Sequence, residues 1–509
     1  MSIVNASGTF VLFFSNIIGK IFGAIYRLPL SNLLGAEGMG LYQMAFPVYS
    51  FLLTLITGGI SVHLTRVVAK YRAKDNNAQI YKEFVLARNV SIIFGFIFLI
   101  FLLVFAYPIS YMQGNVNAVY GYFAIAFGFI FAVMLGAYRG YYQGFGNMKP
   151  TAISQVIEQA SKLIFGLLFA YVFMQYGIKS GVFGALLGIS FSEFLSFIYF
   201  LIINRKNLTK QKVVLQKTDY KSFIKQVAPV SFSYMILPFS ALIDSFLVVN
   251  LLSFGGFTSS FATSMYGIQT GMILPLINLP NVLVGALALA CIPEISYKLN
   301  KNQNITKEVC GIFKLVFMFI LPCSIGMFVL ARPIITNIFV NLNAELIIIA
   351  INLLRFSAIQ MFFLCFLTIT NSLLQALNQV KLPAITMLLG IITKIVLTIL
   401  FVSNAELNIY GLVLATTLGY FVTALLNVVY IKKYTSFRLK LLEIVAPIIA
   451  SLFMTVGLLL IIVLSSAKIN LILLILTIGV GVVIYFACLF ALKQLSFTDL
   501  KKALQIKRN

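Results

Sequence analysis

Apolar runs of about 20 residues recur along the whole chain, separated by short polar stretches, and runs of that length match the hydrocarbon thickness a helix must cross. About fourteen can be counted, which predicts an all-α polytopic membrane fold with about fourteen transmembrane helices. Spans one and two are expected over residues 8–34 and 39–67, joined by an external turn, GAEG. A basic loop carrying Lys70, Arg72, Lys74, Lys82 and Arg88 follows, then spans three to six near 90–111, 118–142, 151–175 and 181–203. Residues 205–225 hold seven basic residues and one acid, Asp219, and read as a linker on the cytoplasmic surface. Spans seven and eight, 226–252 and 263–295, are interrupted by Pro229, Pro238, Pro275 and Pro280. Proline removes a backbone hydrogen bond, which lipid tolerates only where neighbours or water satisfy the freed carbonyl. Spans nine to twelve fall near 311–329, 346–374, 383–402 and 410–431, and the last two near 441–464 and 471–492.

The first run is the one whose polar positions demand an explanation. Lys20 and Arg27 lie seven residues apart, so a helix places both on one face, roughly 10 Å apart along its axis. Asn16 shares that face. A cation in the hydrocarbon core costs at least about 2.5–3.5 kcal/mol, so such residues usually face a bundle interior or a watered cavity. The face is expected to line a central cavity for an anionic substrate; otherwise Arg27 snorkels to the outer interface and a neighbouring helix satisfies Lys20.

An internal repeat organises the chain. Gln143 begins QGFGNMKPTAISQVIEQASK and Gln375 begins QALNQVKLPAITMLLGIITK. Each has a turn, a lysine near a proline and then an apolar helix, ending at Lys162 and Lys394. Read as a duplication, this gives a six-helix lobe over 1–204, the linker 205–225, a second six-helix lobe over 226–434, two additional helices over 435–492 and a basic tail over 493–509. Internal repeats in transporters put the substrate site where the halves meet.

Composition narrows the class. With 61% hydrophobic and 10% charged residues, the chain lacks the polar surface of a soluble globule. The first span is too long, and without a basic start or cleavage site, for a removable signal. The net charge of +24 is not spread as a nucleic-acid surface would be. With the N-terminus in the cytoplasm, and Arg66 and Arg139 counted with the cytoplasmic loops at which their spans end, only Lys179, Arg332 and Lys468 fall outside, six cations fall within spans and all others are cytoplasmic. That asymmetry predicts N-in, C-in topology and attraction to anionic phospholipid, not nucleic acid. Cys291, Cys310, Cys323, Cys365 and Cys488 show no paired spacing and read as packing residues. His63, the only histidine, reads as a packing residue too. With no metal-ligand cluster, no nucleotide-binding glycine loop and scattered acids, neither enzymatic activity, a metal nor a cofactor is expected.

Within the spans, leaving aside Glu294 and Glu443 at their ends, Lys20, Arg27, Lys162, Lys314, Arg355 and Lys394 face three acids, Glu158, Glu193 and Asp244. That excess suits a diphosphate headgroup: lysine supplies a point charge, arginine a bidentate fork. Glu158 and Lys162, four residues apart, are expected to form a structural ion pair. Asp244 either binds a coupling ion or satisfies a structural partner. Arg355 is expected in a salt bridge inside its lobe, and Lys314 and Lys394 are either interior counterions or snorkel. Glu193 has no partner identifiable from spacing.

The segment RGYYQGFGNMKPTAISQVIEQ (139–159) closely resembles the connection between spans four and five in the stage V sporulation protein B family of polysaccharide-biosynthesis membrane proteins. GMILPLINLPNVLVGALALACIPEIS (271–296), LGAEGMGLY (34–42) and GISVHLTRVVA (59–69) match further parts of that family. The resemblance covers nearly the whole chain. It implies kinship with MurJ-type lipid II flippases and multidrug exporters of the MATE/MOP superfamily: two pseudo-symmetric six-helix lobes opening alternately to either side, plus two C-terminal helices. It further implies transport of an undecaprenyl-pyrophosphate-linked saccharide to the outer leaflet of a bacterial plasma membrane. Lys20 aligns with a cavity arginine of the MurJ-type proteins, and Arg27 falls one residue from a second. A basic position expected near Leu52 is absent, and another is occupied by Gln269, which could hold sugars. A cation-coupled multidrug exporter is the alternative. The oligomeric state is left open, a monomer being the simplest reading.

Overall fold

Helices form wherever the apolar runs were found. The computed structural model describes residues 6–207, 215–301, 303–379, 381–435, 437, 441–465 and 469–494, and contacts gather these into two compact units, Met1–Pro275 and Leu276–Asn509.

The first unit begins with α1 (Ala6–Arg72), whose 67 residues would extend about 100 Å, far more than one crossing of a bilayer needs. It is broken at Gly35, with φ 66° and ψ −173°, a conformation open to glycine and strained for other residues. The four-residue turn expected between spans one and two therefore contracts to this single residue, and Ala36–Gly38 are already helical. Then follow α2 (Asn77–Met112), α3 (Val119–Gly144), α4 (Lys149–Met174), α5 (Ile178–Asn207), α6 (Lys217–Tyr234), α7 (Ile236–Phe254) and α8 (Ser259–Gly267). A π-helical segment, Ile268–Ile273, leads into α9 (Leu274–Asn300). In the second unit α10 (Thr306–Val329), α11 (Ala331–Ile338), α12 (Ala344–Ala376), α13 (Leu382–Val402), α14 (Asn408–Tyr434), α15 (Leu441–Leu464) and α16 (Leu471–Ala491) complete the chain.

Twelve helices among the described residues are long and apolar enough to cross a membrane, or thirteen when α6 and α7, bent by 61°, are taken as one broken span. Taking the two arms of α1 separately brings the number to the expected fourteen, and the protein is a multi-pass, all-helical membrane protein.

The prolines account for the broken spans. Pro238 cannot donate to Tyr234, four residues earlier, and its ring crowds that carbonyl; α6 ends at Tyr234. Pro275 likewise deprives Gly271 of a donor, and Gly271 lies in the π-helical segment. The basic linker ends in a fixed point. At the start of α6, Gln216 and Asp219 cap each other, and Lys82 of α2 donates to Asp219 at 2.9 Å.

Small residues set the helix spacing. Gly40 of α1 lies on the backbone of Thr263 in α8, Gly140 of α3 on Ser61, and Gly188 of α5 on Gly166 of α4. Without Cβ atoms the backbones come close enough for extensive van der Waals contact, the main attraction available in lipid. In the second unit Gly390 of α13 plays the same part against Thr423 and the carbonyl of Gly419 in α14. Gly390→Leu should destabilise by about 1–3 kcal/mol through overpacking. Gly311→Leu, where a Cβ would meet no atom within 4 Å, should leave the unfolding temperature in detergent unchanged.

The repeat recurs in contacts as well as letters. After α3, Gly146 has φ 72° and donates to Gln143 at 2.9 Å, while Asn147 donates to Tyr142 at 3.1 Å. After α12, Asn378 has φ 62° and donates to Gln375 at 3.0 Å, while Gln379 donates to Leu374 at 2.9 Å. Both next helices carry proline in their first turn, at Pro150 and Pro383. One helix later, Gly184 packs on the Phe169 backbone and Gly411 on that of Phe401, its counterpart by the register of the two lysines. The hydroxyl of Ser196 bonds the carbonyl of Ser154 at 2.5 Å, and that of Thr423 bonds the matching carbonyl of Thr386 at 3.3 Å.

Within the second unit the last two helices pack against α10. Met454 and Leu458 of α15, Tyr485 and Leu489 of α16 and Met318 of α10 form one core cluster, and the Tyr485 hydroxyl donates to the Met318 carbonyl at 2.7 Å.

Candidate functional site

Of the charged residues predicted inside the first lobe, Arg27, Glu158, Lys162 and Glu193 gather around one stretch of α4. Its polar positions, Ser154, Glu158 and Lys162, are four residues apart and so lie along one helical face. The α3–α4 turn brings Arg139 opposite them. Arg139 donates from Nε to Ser154 Oγ at 3.0 Å and from Nη2 to Glu158 at 2.7 Å. Glu158 thus pairs across the turn with Arg139, correcting the ion pair expected with Lys162. The guanidinium reaches both polar groups at once, which an ammonium on the same helix cannot do.

Lys162 is held differently. Its ammonium lies 5.2 Å from the centre of the Tyr26 ring and 5.3 Å from that of Phe46, both on α1. Ring faces attract a desolvated cation without cancelling its charge. Tyr26 is wholly buried because Gly166, one turn beyond Lys162, leaves room for its ring, and its hydroxyl donates to the Ala185 carbonyl at 3.4 Å. Arg27, half-buried, lies within electrostatic reach of Lys162 and of the Tyr26 and Tyr42 hydroxyls. Among the described residues neither Arg27 nor Lys162 makes an ion pair. The side chains of Asn16 and Lys20 lie outside the described residues.

Glu193, without a partner in the sequence reading, accepts a hydrogen bond from the Tyr49 hydroxyl. Its other oxygen, Oε2, is buried and accepts no bond among the described residues. Arg139, Glu158 and Glu193, with Thr57, Ser61 and Tyr234, line a cavity of about 300 Å³ inside the first unit. Tyr49→Phe would leave both oxygens of this buried carboxylate without a donor, so a loss of about 1–3 kcal/mol in unfolding stability is expected. Tyr49→Phe combined with Glu193→Leu should recover most of it.

The aromatic partners escaped the sequence reading. Tyr42, Phe46 and Tyr49 form a stripe on α1 at helical spacing, with ring centres 5.7 and 6.3 Å apart, and in a chain with 48 phenylalanines and 24 tyrosines such a stripe does not stand out.

The remaining predicted residues are dispersed. Gln269 is buried in the π-helical segment, which is tied to α1 by a 2.6 Å bond from Gln43 Nε2 to the Thr270 carbonyl. Asp244, half-buried on α7, interacts with Tyr266. His63 packs edge-on to Phe223, with Nε2 3.8 Å from Glu83. Lys314 donates to the Gln494 carbonyl at 3.1 Å. Lys394, in the repeat position of Lys162, is buried at 8% exposure against Gly419 and does not snorkel. Among the described residues Arg355 makes no salt bridge, where one was expected of it; its guanidinium lies 6.0 Å from the Phe328 ring centre. No acid lies on the neighbouring turns of α12 to meet it, since Glu345 is the only acid of that helix.

The two repeats differ in charge. By the register that matches Lys162 with Lys394, Arg139 is replaced by Asn371 and Glu158 by Gly390. Asn427 there donates to Asn371 at 2.8 Å and Thr386 donates to Asn427 at 2.7 Å, a neutral amide network where the first repeat has an ion pair.

Comparison with known proteins gives these features a family. The chain is 24% identical over 459 residues to the lipid II flippase MurJ of Bacillus subtilis (strain 168), covering 86% of this chain and 84% of that protein. It is 25% identical over 449 residues to the stage V sporulation protein B of the same organism, covering 86% and 85%. A solved structure of the lipid II flippase MurJ in an inward closed conformation superposes with a TM-score of 0.73, at 16% identity, over 94% of this chain and 98% of that one. Residues 6–299 match the family model described as polysaccharide biosynthesis protein, more than half of the chain. The chain belongs to the polysaccharide biosynthesis protein family.

Proposed function

We propose that this chain is a flippase that moves an undecaprenyl-pyrophosphate-linked saccharide from the inner to the outer leaflet of a bacterial plasma membrane by alternating access, with both termini in the cytoplasm. The observation that carries the proposal is that, among the described residues, Arg27 and Lys162 stand as cations without ion pairs in the membrane-spanning part of the first unit, while Glu158 is neutralised by Arg139. Unpaired intramembrane charge is expensive, and a diphosphate headgroup is a ligand that repays it. Similarity to MurJ and to the stage V sporulation protein B supports the same substrate class.

In this reading Lys20, Arg27 and Lys162 hold the diphosphate, and Asn16 and Gln269 meet the sugars. The polyprenyl tail stays in lipid, and no bond is made or broken. The lobes 1–204 and 226–434 and the two further helices are the parts expected to move in the cycle. The test is direct binding by the purified protein in detergent. An undecaprenyl-pyrophosphate-linked disaccharide should bind, and the Arg27→Gln, Lys162→Met variant should bind it at least about tenfold more weakly. Saturable binding of an organic cation such as ethidium, with none of the lipid-linked sugar, would instead favour a multidrug exporter.

A further inference from the structure

The second unit contains a cavity that the transport reading does not use. It has a volume of about 630 Å³ and lies among α10, α11, α12, α15 and the start of α16. Arg332 of α11 and Arg355 of α12 both line it, and among the described residues no acidic side chain does. Arg355 lies roughly 16 Å along the axis from the start of α12, well inside the span. Among the described residues its guanidinium makes no ion pair and meets the Phe328 ring, an arrangement that is costly within a membrane unless an anion joins it. The cavity is also held open by the protein itself. Asn337 donates to the Pro333 carbonyl at 2.8 Å and to the Ile469 carbonyl at 2.7 Å, fastening α11 to the segment before α16.

Part of the lining is apolar. Val329 of α10 and Leu459 and Ile462 of α15 line it, and on α15 Leu460, Val463 and Leu464 are 58%, 74% and 83% exposed, so the apolar surface of that helix continues beyond the cavity. Two cations together with an apolar lining that continues onto an exposed helix surface fit an amphiphile. The geometry points to a binding site for the phosphate group of a membrane lipid, with Arg332 and Arg355 on the phosphate oxygens and an acyl chain leaving along α15. Arginine suits this because its fork can hold two phosphate oxygens at once. The site lies in the second unit and does not depend on which substrate the first unit carries.

The experiment is native mass spectrometry of the delipidated, full-length protein, titrated in parallel with phosphatidylglycerol, phosphatidylcholine and inorganic phosphate. Wild type should retain one more tightly bound phosphatidylglycerol than Arg332→Gln or Arg355→Gln, each weakening that event about tenfold. Arg332 is exposed, so its variant should leave the fold intact, and Arg355→Lys should recover part of the binding. Saturable binding of inorganic phosphate that both glutamine variants lose would support the two-arginine site with a soluble ligand as its source. Identical lipid and phosphate binding by wild type and all variants would overturn the proposal.

Discussion

Lys162→Met is expected to lower translocation at limiting substrate roughly tenfold to a hundredfold while leaving the protein as stable as wild type or more so. Methionine keeps the length and volume of the lysine stem between Tyr26 and Phe46 and removes only the ammonium. The folded protein pays to bury that charge and recovers little from the two rings, so its loss should raise the unfolding temperature or leave it unmoved. The transport cycle loses a charge-assisted contact to the substrate, worth about 1.5–3 kcal/mol, or roughly tenfold to a hundredfold in affinity. Opposite movements of activity and stability, read by leaflet assay and by thermal unfolding in detergent, distinguish a binding residue from a structural one. A variant that loses both together would show that Lys162 serves the fold.

Arg139→Leu should have the largest effect on stability. Glu158 would lose its ion-pair partner and keep a 3.4 Å hydrogen bond from Gln159, in a part-buried site lined by a second acid, Glu193, while Ser154 would keep its bond to the Thr151 carbonyl. Removing one partner of such a pair costs about 3 kcal/mol or more, largely through the stranded charge. Arg139→Leu with Glu158→Leu should recover most of that loss, because replacing both partners by apolar groups is often nearly neutral. The second repeat already carries Asn371 and Gly390 at these positions. Unfolding temperatures of the two single variants and the double variant form the cycle that measures the coupling.

These residues also mark where the sequence was legible. Apolar length, proline position and the two glutamine-to-lysine motifs were enough to place the spans and the repeat, because a bilayer forces every backbone group into helices. The recurrence of positive φ at Gly146 and Asn378 shows that the motif encodes a turn. Pairing was harder to read. Helical spacing offered Lys162 to Glu158, but Arg139, nineteen residues away in sequence, is brought closer by the α3–α4 turn and carries the better-shaped donor. For Arg355, spacing could not reveal Phe328 on α10, a contact made only by packing. The aromatic cradle of Lys162 was hidden for a different reason: Tyr26 and Phe46 look like ordinary membrane residues until Gly166 is seen to admit the Tyr26 ring.

The central claim is carriage of a lipid-linked saccharide by a cationic site, and leaflet accessibility tests it most directly. Cells depleted of this protein would receive either wild type or the Lys20→Ala, Arg27→Ala variant at equal membrane abundance. The amount of polyprenyl-linked saccharide reachable from the outer leaflet would then be measured. Depletion should lower that amount, and wild type alone should restore it. An unchanged distribution of the saccharide, accompanied by altered efflux of organic cations, would contradict the account.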